Sequence, residues 1–551
     1  MRASIARILL LSGAAGVLPA IAQTVPDAGA LRQQLDNEHN KPQLPPRAAP
    51  LQAPEPPTLT LPQGATVTVK TFRFEGNTLV TDAALQAVVQ RWTGRPIGFA
   101  DLQRAAQDVA TAYRDAGWIV RTYLPQQDVT EGTVTIHVVE AKFSGAHLEG
   151  APPLRMSPEL VIAVVQAAQA PGEPVNAAAL DRGLLLASDL PGVAVSGALE
   201  SGANDGETGL ALRMTDESLV TGSVELDNGG ARSTGAVRVL ASATVNSPLH
   251  QGDQLRADVV DSQGSHYGRV AYTVPLGADG LRAGLNASVL DYRLVGKDFA
   301  ALHGSGSSDA WGADFSFPLI RSRKRNLYLS VNGERTVFLN RANGLVQSSY
   351  GIDSATVGLS GNAFDDLGGS GANTFSLAWE LGDVRQGHLD IGENPALAGG
   401  YDKLRYAGSR QQALTDTVSL YGALSGQYAN KTLDSSGRFY LGGPAGVRAY
   451  PVNEGSGDRG QLVNLELRWR PADAFTVLGF GDWGHVAASS GSESLQGVGV
   501  SAIWIGPYNL NAQATVARRI GSNPDRNAST GRDQDGSLDR TRFWLQAQLP
   551  F

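Results

Sequence analysis

The stretch LVNLELRWR, residues 462–470, alternates apolar and polar side chains from Val463 onward. The apolar positions are Val463, Leu465, Leu467 and Trp469, and the polar positions are Asn464, Glu466, Arg468 and Arg470. Successive side chains of a strand point to opposite faces, so one face is apolar and the other is charged. A soluble sandwich would also alternate, but its strands would need a packed apolar core. A charged face opposite an aromatic-bearing apolar face is typical of a membrane-spanning β-barrel strand.

Alternation of this kind recurs throughout residues 217–551. Two further examples are GAVRVLASATVN, residues 235–246, and LRAGLNASV, residues 281–289. At about 20 residues for each strand and its connection, this segment has room for roughly 16 strands. The chain ends in RFWLQAQLPF, residues 542–551, which has the pattern of a barrel-closing strand. We therefore predict a transmembrane antiparallel β-barrel over residues 217–551.

The composition excludes several other classes of protein. The chain has no cysteine, which removes disulfides and thiolate chemistry, and its formal net charge of −8 argues against a nucleic-acid partner. We find no G-x-S-x-G nucleophile elbow and no H-E-x-x-H zinc motif. The sequence therefore predicts neither an enzyme nor a protein with a cofactor or metal site.

The N-terminus predicts export from the cytoplasm. Arg2 and Arg7 precede a short apolar run, and Ala20-Ile21-Ala22 forms an A-x-A cleavage signal. Residues 1–22 are therefore predicted to be a signal peptide. The apolar run is too short for a membrane anchor.

A helix and a linker are predicted to follow the signal peptide. Residues 23–40 contain a short polar helix, from residue 24, with Leu31 and Leu35 four positions apart. Residues 41–65 are rich in proline, which disfavours helix and sheet, so this segment is predicted to be an extended tether. A single helix on a long tether either docks elsewhere in the protein or is disordered.

Two successive segments, residues 66–141 and 142–216, share the order β-α-α-β-β. In the first, VTVKTFRF at 67–74 is predicted to be a strand, and Thr81 is predicted to cap the helix that follows. An internal repeat of about 75 residues indicates two copies of one compact α/β domain.

Four stretches in order make the sequence resemble the Omp85 superfamily, and within it the two-partner secretion transporters of the hemolysin-activator type. DAGWIVRTYLPQQDVTEGTVTIHVVEAKF at 115–143 and DRGLLLASDLPGVAVSGALESG at 181–202 resemble the closing halves of that family's two POTRA domains. LGGPAGVRAYP at 441–451 resembles the signature of its sixth extracellular loop, and FGDWG at 480–484 resembles the barrel-wall motif that pairs with this loop. The usual loop signature is VRGY or VRGF, and Ala449 replaces its glycine here.

The resemblance implies a function for each part. The N-terminal helix is expected to plug the barrel pore, and the POTRA domains are expected to recognise an unfolded partner protein in the periplasm. The cargo would be a secreted hemolysin, adhesin or contact-dependent toxin, usually encoded beside its transporter. We expect a monomer in outer-membrane lipid, without a nucleic-acid partner.

The loop and the barrel wall supply the candidate functional residues. Alternation places Phe480, Asp482 and Gly484 on one face of their strand and Trp483 on the other. If Trp483 faces lipid, Asp482 points into the lumen, where we predict that Arg448 reaches it. The complete predicted latch comprises Gly446, Val447, Arg448, Tyr450, Phe480, Asp482 and Gly484. The charged residues Glu466, Arg468 and Arg470 are expected to be ordinary lumen lining.

Two other functions remain open from the sequence. An outer-membrane assembly factor inserts barrel proteins, but such factors commonly carry more POTRA domains and lack the helix. A passive porin would leave the two α/β repeats without a role.

Overall fold

The computed structural model of the protein describes residues 27–39, 66–387, 397–527 and 530–551. The predicted signal peptide, residues 1–22, and the predicted linker, residues 41–65, lie outside the described residues. The described part consists of one N-terminal helix, two small α/β units and a large β-barrel.

Sixteen antiparallel strands form a closed barrel. In chain order they are β9 (Val220–Asp227), β10 (Arg238–Asn246), β11 (Gln254–Ser262), β12 (Ser265–Pro275), β13 (Arg282–Arg293), β14 (Ser305–Arg321), β15 (Arg325–Ala342), β16 (Leu345–Asp365), β17 (Gly371–Gln386), β18 (Gly399–Ala413), β19 (Val418–Ala429), β22 (Arg459–Ala472), β23 (Phe475–Ala488), β24 (Gly491–Ile505), β25 (Asn511–Arg519) and β26 (Thr541–Pro550). The prediction of a 16-stranded barrel is confirmed.

The alternation seen in the sequence corresponds to the two faces of the barrel wall. On β22, the outward Leu465 is 55% exposed, whereas the neighbouring Glu466 is 8% exposed and faces the interior. The same holds on β26, where Phe543 and Leu545 are exposed on the outer face. Apolar side chains thus cover the outside because lipid, unlike water, does not oppose their exposure.

The barrel closes between its first and last strands. β9 and β26 pair from Asp227–Gln546 to Ser223–Pro550. β26 begins five residues earlier, at Thr541, and the Asn228 side chain spans this part of the seam. Its Nδ2 donates to the carbonyl of Phe543 at 2.9 Å, and its Oδ1 accepts from the backbone N–H of Leu545 at 2.8 Å.

The predicted N-terminal helix is present as α1 (Ala28–His39) and lies inside the barrel. Leu31 and Leu35 are buried in an apolar cluster with the inward-facing Tyr267 of β12 and Leu290 of β13. The helix is 12 residues long, shorter than the predicted one, and residues 24–26 lie outside the described part.

The first α/β unit has the predicted order. Its main elements are β2 (Thr71–Glu75), α2 (Asp82–Val89), α3 (Phe99–Asp115), β4 (Val120–Tyr123) and β5 (Thr133–Glu140), and its sheet order is β2-β5-β4. The Thr81 side chain accepts a hydrogen bond from Ala84 N–H and so caps α2, as predicted.

The prediction of one strand over residues 67–74 is wrong. The chain forms β1 (Thr66–Thr68), which pairs with β3 (Pro96–Gly98), and then bends before β2. The N–H groups of Lys70 and Thr71 both donate to the Gly132 carbonyl, at 2.7 and 3.3 Å, so this turn fixes the bend.

The second α/β unit repeats the order with its own apolar core. Its elements are β6 (Lys142–Leu148), α4 (Pro158–Ala168), α5 (Ala177–Ser188), β7 (Val193–Ser201) and β8 (Glu207–Asp216). The sheet order is β6-β8-β7, so β6 and β7 are its two edges.

The second unit docks against the end of the barrel from which β9 begins. Arg321, at the end of β14, makes a bidentate ion pair with Asp189, with both N–O distances 2.7 Å. In the turn that follows, Arg323 Nε donates to Asp181 Oδ1 at 2.6 Å. None of the helices in the described ranges has the length and apolar character needed to cross a membrane.

Candidate functional site: the lumen loop and the barrel wall

Residues 430–458, which we call the lumen loop, connect β19 to β22. Two short strands, β20 (Phe439–Tyr440) and β21 (Ser456–Gly457), pair to form the base of the loop. Its residues Leu441, Val447 and Tyr450 are buried with Phe480 of the wall strand β23. The loop therefore folds back into the barrel rather than extending away from it.

The side chains of Arg448 and Asp482 form a bidentate pair inside the barrel. Arg448 Nε lies 2.9 Å from Asp482 Oδ2, and Arg448 Nη2 lies 2.7 Å from Asp482 Oδ1. The backbone N–H of Arg448 also donates to Asp482 Oδ2, at 3.0 Å. The Arg448 side chain is 10% exposed and the Asp482 side chain is fully buried. Parallel charge-assisted hydrogen bonds of this kind fix orientation as well as position.

Two further wall residues hold the same guanidinium. Arg448 Nη1 donates to Glu466 Oε1 at 2.8 Å, and the guanidinium carbon lies 3.5 Å from the centre of the Phe480 ring. A cation this close to an aromatic face is stabilised by the ring's quadrupole. The expectation that Glu466 is ordinary lumen lining is therefore wrong. Period-2 spacing places Glu466 on the inner face, but the alternation alone does not give the register that pairs Glu466 with Phe480 and so brings it within reach of Arg448.

Charged neighbours of Glu466 differ in their environment. Arg468 Nη2 lies 2.7 Å from Glu466 Oε2, and its guanidinium stacks over Tyr421 at 4.1 Å. Arg470 is exposed, and its side chain makes a long hydrogen bond, 3.4 Å, to the carbonyl of Asp416. Only the first of these two arginines belongs to the network around Arg448.

Glycines make the close approach of loop and wall possible. A Cβ placed on Gly446 would lie 1.9 Å from the Leu441 carbonyl oxygen, and one on Gly484 would lie 2.5 Å from Leu441 Cδ2. The N–H of Val447 donates to the same Leu441 carbonyl at 2.7 Å. A side chain at Gly446 would disrupt the turn of the loop itself, and one at Gly484 would push Leu441 away from β23.

The loop is also attached to the last two barrel strands. Trp544 of β26 donates its indole N–H to the carbonyl of Arg448 at 2.7 Å. The Arg519 guanidinium of β25 lies 4.8 Å from the centre of the Tyr450 ring. The sequence motifs did not indicate Trp544 or Arg519, because both contacts depend on how the barrel closes.

Ala449, which stands where the loop signature usually has glycine, fits without backbone strain. It is not among the residues with positive φ, and its side chain is fully buried. The space for its methyl group comes from Gly497 on β24, where an added Cβ would lie 2.6 Å from Ala449 Cβ. The alanine of the loop and the glycine of the wall therefore complement each other.

We predict that Gly497→Ala destabilises the loop and that Ala449→Gly in the same chain restores it. Overpacking a filled interior typically costs about 1–3 kcal/mol. The temperature at which the folded barrel loses its fast gel mobility should fall for the single variant and recover for the double variant. Gly481→Ala is the matched control, because no atom lies within 4 Å of its added Cβ. A double variant no more stable than the single one would contradict this packing.

A closed 16-stranded barrel, two α/β units at one end and an arginine loop fixed to the inner wall together define an outer-membrane protein-transport barrel. A sequence model of the family described as "Haemolysin secretion/activation protein ShlB/FhaC/HecB" matches residues 206–503, and the model of the ShlB-type POTRA domain matches residues 67–141. The chain belongs to this family of haemolysin secretion/activation proteins.

Individual relatives are similar over most of the chain. The heme/hemopexin transporter protein HuxB of Haemophilus influenzae (strain 86-028NP) is 26% identical, covering 94% of each chain. The outer membrane transporter CdiB of Dickeya dadantii (strain 3937) is 23% identical, covering 74% of this chain and 73% of its own. The solved structure of CdiB from Escherichia coli superposes with a TM-score of 0.71 at 20% identity, covering 95% of this chain and 98% of that chain.

These findings place the protein in the outer membrane with its POTRA region in the periplasm. It is a two-partner secretion transporter of the Omp85 superfamily, and it exports a partner protein through its barrel. The assembly-factor alternative is less well supported than secretion, because the matched family is one of secretion proteins. The passive-porin alternative does not account for a POTRA domain.

Proposed function

We propose that the protein is a gated translocator in which α1 closes the pore, the α/β units capture unfolded cargo and the Arg448 latch holds the lumen loop in its working position. The cargo is a secreted protein of the hemolysin, adhesin or contact-dependent toxin type. The protein works as a monomer surrounded by outer-membrane lipid. The single observation that carries this proposal is the position of α1, whose buried face fills the lumen through which cargo must pass.

Polar contacts hold the helix at one position inside the barrel. Arg32 is buried, with Nη1 2.5 Å from Ser288 Oγ on β13 and Nη2 3.5 Å from Glu334 Oε1 on β15. At the start of the helix, the Ser435 hydroxyl donates to Asp27 Oδ1 at 2.7 Å. The helix is thus bonded both to the barrel wall and to the lumen loop. The polar contacts can be exchanged for water when cargo displaces the helix.

One strand edge with which no other described strand pairs favours cargo capture by the second α/β unit. The β6 edge is covered, because Phe143 N–H donates to the Glu173 carbonyl at 2.9 Å and the Phe143 carbonyl accepts from Gly172 at 2.7 Å. β7 forms the other edge and is nine residues long. An unfolded chain can add a strand to such an edge through main-chain hydrogen bonds.

We predict that residues 66–216, which contain both apolar cores, bind the unfolded N-terminal part of the cargo. Affinity should be weak to moderate, since ordering a flexible segment offsets part of the contact energy. Titration calorimetry measures this affinity, with a candidate partner sought among the genes beside the transporter gene. The absence of detectable binding would contradict this part of the proposal.

The edge itself is tested by proline substitution. Gly202 N–H donates to the carbonyl of Glu207 on β8. Backbone N–H groups alternate in direction along a strand, so the N–H of Leu199, three residues earlier, points away from β8. Leu199→Pro removes one outward donor and should weaken cargo binding, whereas the exposed Ala198→Ser keeps every backbone donor and should not. Circular dichroism checks that both fragments remain folded.

A further inference from the structure

A buried carboxyl group joins the lumen loop to the loop between β25 and β26, residues 520–540, which we call the terminal loop. Glu454 is fully buried, four residues after Tyr450. Its Oε1 accepts a hydrogen bond from the Asn523 side chain, and its Oε2 accepts one from the backbone N–H of Gln534 at 3.2 Å. Both donors are neutral and both belong to the terminal loop.

The cations nearby are bonded to other carboxylates. Arg519 Nη1 lies 2.9 Å from Asp533 Oδ1, and Arg542 reaches Asp533 and Asp535, at 3.2 Å each. Asn523 also donates to Asp533 Oδ1 at 3.0 Å, so one amide group bridges Asp533 and Glu454. Glu454 therefore lies beside an ion-paired cluster whose positive charges are already directed to aspartates.

Two more carboxylates hold the adjoining backbone of the lumen loop. Asp525 of the terminal loop accepts a hydrogen bond from Gly455 N–H, and Glu493 at the start of β24 accepts one from Ser456 N–H. The acidic groups that face Glu454 are thus Asp525, Asp533 and Asp535 on the terminal loop and Glu493 on the neighbouring strand. An ionised Glu454 would add a further negative charge in a fully buried position.

We propose that Glu454 is a positioning residue that, in its protonated form, clasps the lumen loop to the terminal loop, and that ionisation of this group releases the clasp. Burial, followed by the nearby Asp533, Asp525 and Asp535, raises the pKa of Glu454 to about 8, and burial also raises the pKa of Asp525. Because the folded protein holds this proton more tightly than a free carboxyl group does, the clasp stabilises the contact between the two loops fully below the ordinary carboxyl pKa. This stabilisation is lost as the pH rises through about 8.

This inference rests on the proposed role of the lumen loop, but its test measures the loop contact directly and not secretion. The chain has no cysteine, so a single cysteine can be introduced for a spin label at Leu538, which is exposed on the terminal loop. Label mobility is recorded from pH 6 to 9.5 on the full-length protein in lipid. With a pKa of about 8, the ionised fraction rises from about a tenth at pH 7 to about nine-tenths at pH 9.

We expect the mobile fraction of the label to rise with a midpoint near pH 8 in the otherwise native chain. Glu454→Gln removes the titration and should give the same mobility at every pH, and Glu454→Ala should be mobile throughout. Asp473→Asn, in an exposed turn between β22 and β23, is the control and should keep the native midpoint. Heat-modifiable gel mobility confirms that each barrel is folded. A flat native profile, or an unchanged transition in Glu454→Gln, would overturn the proposal.

Discussion

Replacing Arg448 with alanine is expected to abolish secretion while the barrel still folds and inserts. The guanidinium contacts Asp482, Glu466 and the Phe480 ring at once. Its loss leaves the buried Asp482 without its ion-pair partner, whereas Glu466 keeps Arg468. Removing one member of a buried ion pair typically costs about 3–5 kcal/mol. Water in the lumen reduces this figure. The loss should detach the lumen loop from the wall without breaking the strand pairing of the barrel.

The other members of the network should show graded effects. Asp482→Ala leaves Arg448 bonded to Glu466 and is expected to reduce secretion less than Arg448→Ala. Because the residues share one interaction, the Arg448→Ala, Asp482→Ala double variant should be no worse than Arg448→Ala alone. Arg470→Ala serves as the control, because Arg470 is exposed on β22 and its side chain donates to the Asp416 carbonyl rather than to Asp482 or Glu466. Normal secretion by Arg448→Ala would contradict a role of this network in secretion and would leave its residues as lining of the pore.

Deleting residues 24–40 is expected to open the pore. Without α1, the lumen loses the side chains of Leu31 and Leu35 and the ion pair of Arg32 with Glu334. Single-channel conductance in planar bilayers should rise severalfold above that of the intact chain. Equal conductance would mean that the helix does not close the pore.

A point variant tests the contacts of the helix without shortening the chain. Arg32→Glu places a further negative charge beside Glu334 and Asp36 and should increase the fraction of time that the pore is open. Arg104→Glu, in an exposed ion pair with Asp101 on the first α/β unit, changes the net charge equally and should leave conductance unchanged.

The barrel was predictable from the sequence because its physical cause is local. Lipid outside and water inside impose period-2 alternation on each strand, and the stretch at 462–470 shows it directly. The bend between β1 and β2 was not predictable in the same way. It depends on the Gly132 carbonyl, which is about 60 residues further along the chain and is brought near only by folding.

The candidate site was predictable only in part. The motifs around Arg448 and Asp482, with the family resemblance, indicate a loop that meets the wall. The roles of Glu466 and Trp544 could not be predicted without the folded barrel, because their strands, β22 and β26, are separated by three other strands in the barrel order. The fit of Ala449 against Gly497 depends on the register between β24 and the folded loop, which no local pattern specifies.

The most direct test measures export of a candidate partner protein, sought among the genes beside the transporter gene. The two are expressed together in cells that lack the native transporter, and partner protein is quantified in the medium alongside the porins of the outer membrane. We expect partner in the medium only when the transporter is present, with porin levels unchanged. Partner that appears equally without the transporter, or porins that fall when the transporter is removed, would contradict secretion as its function.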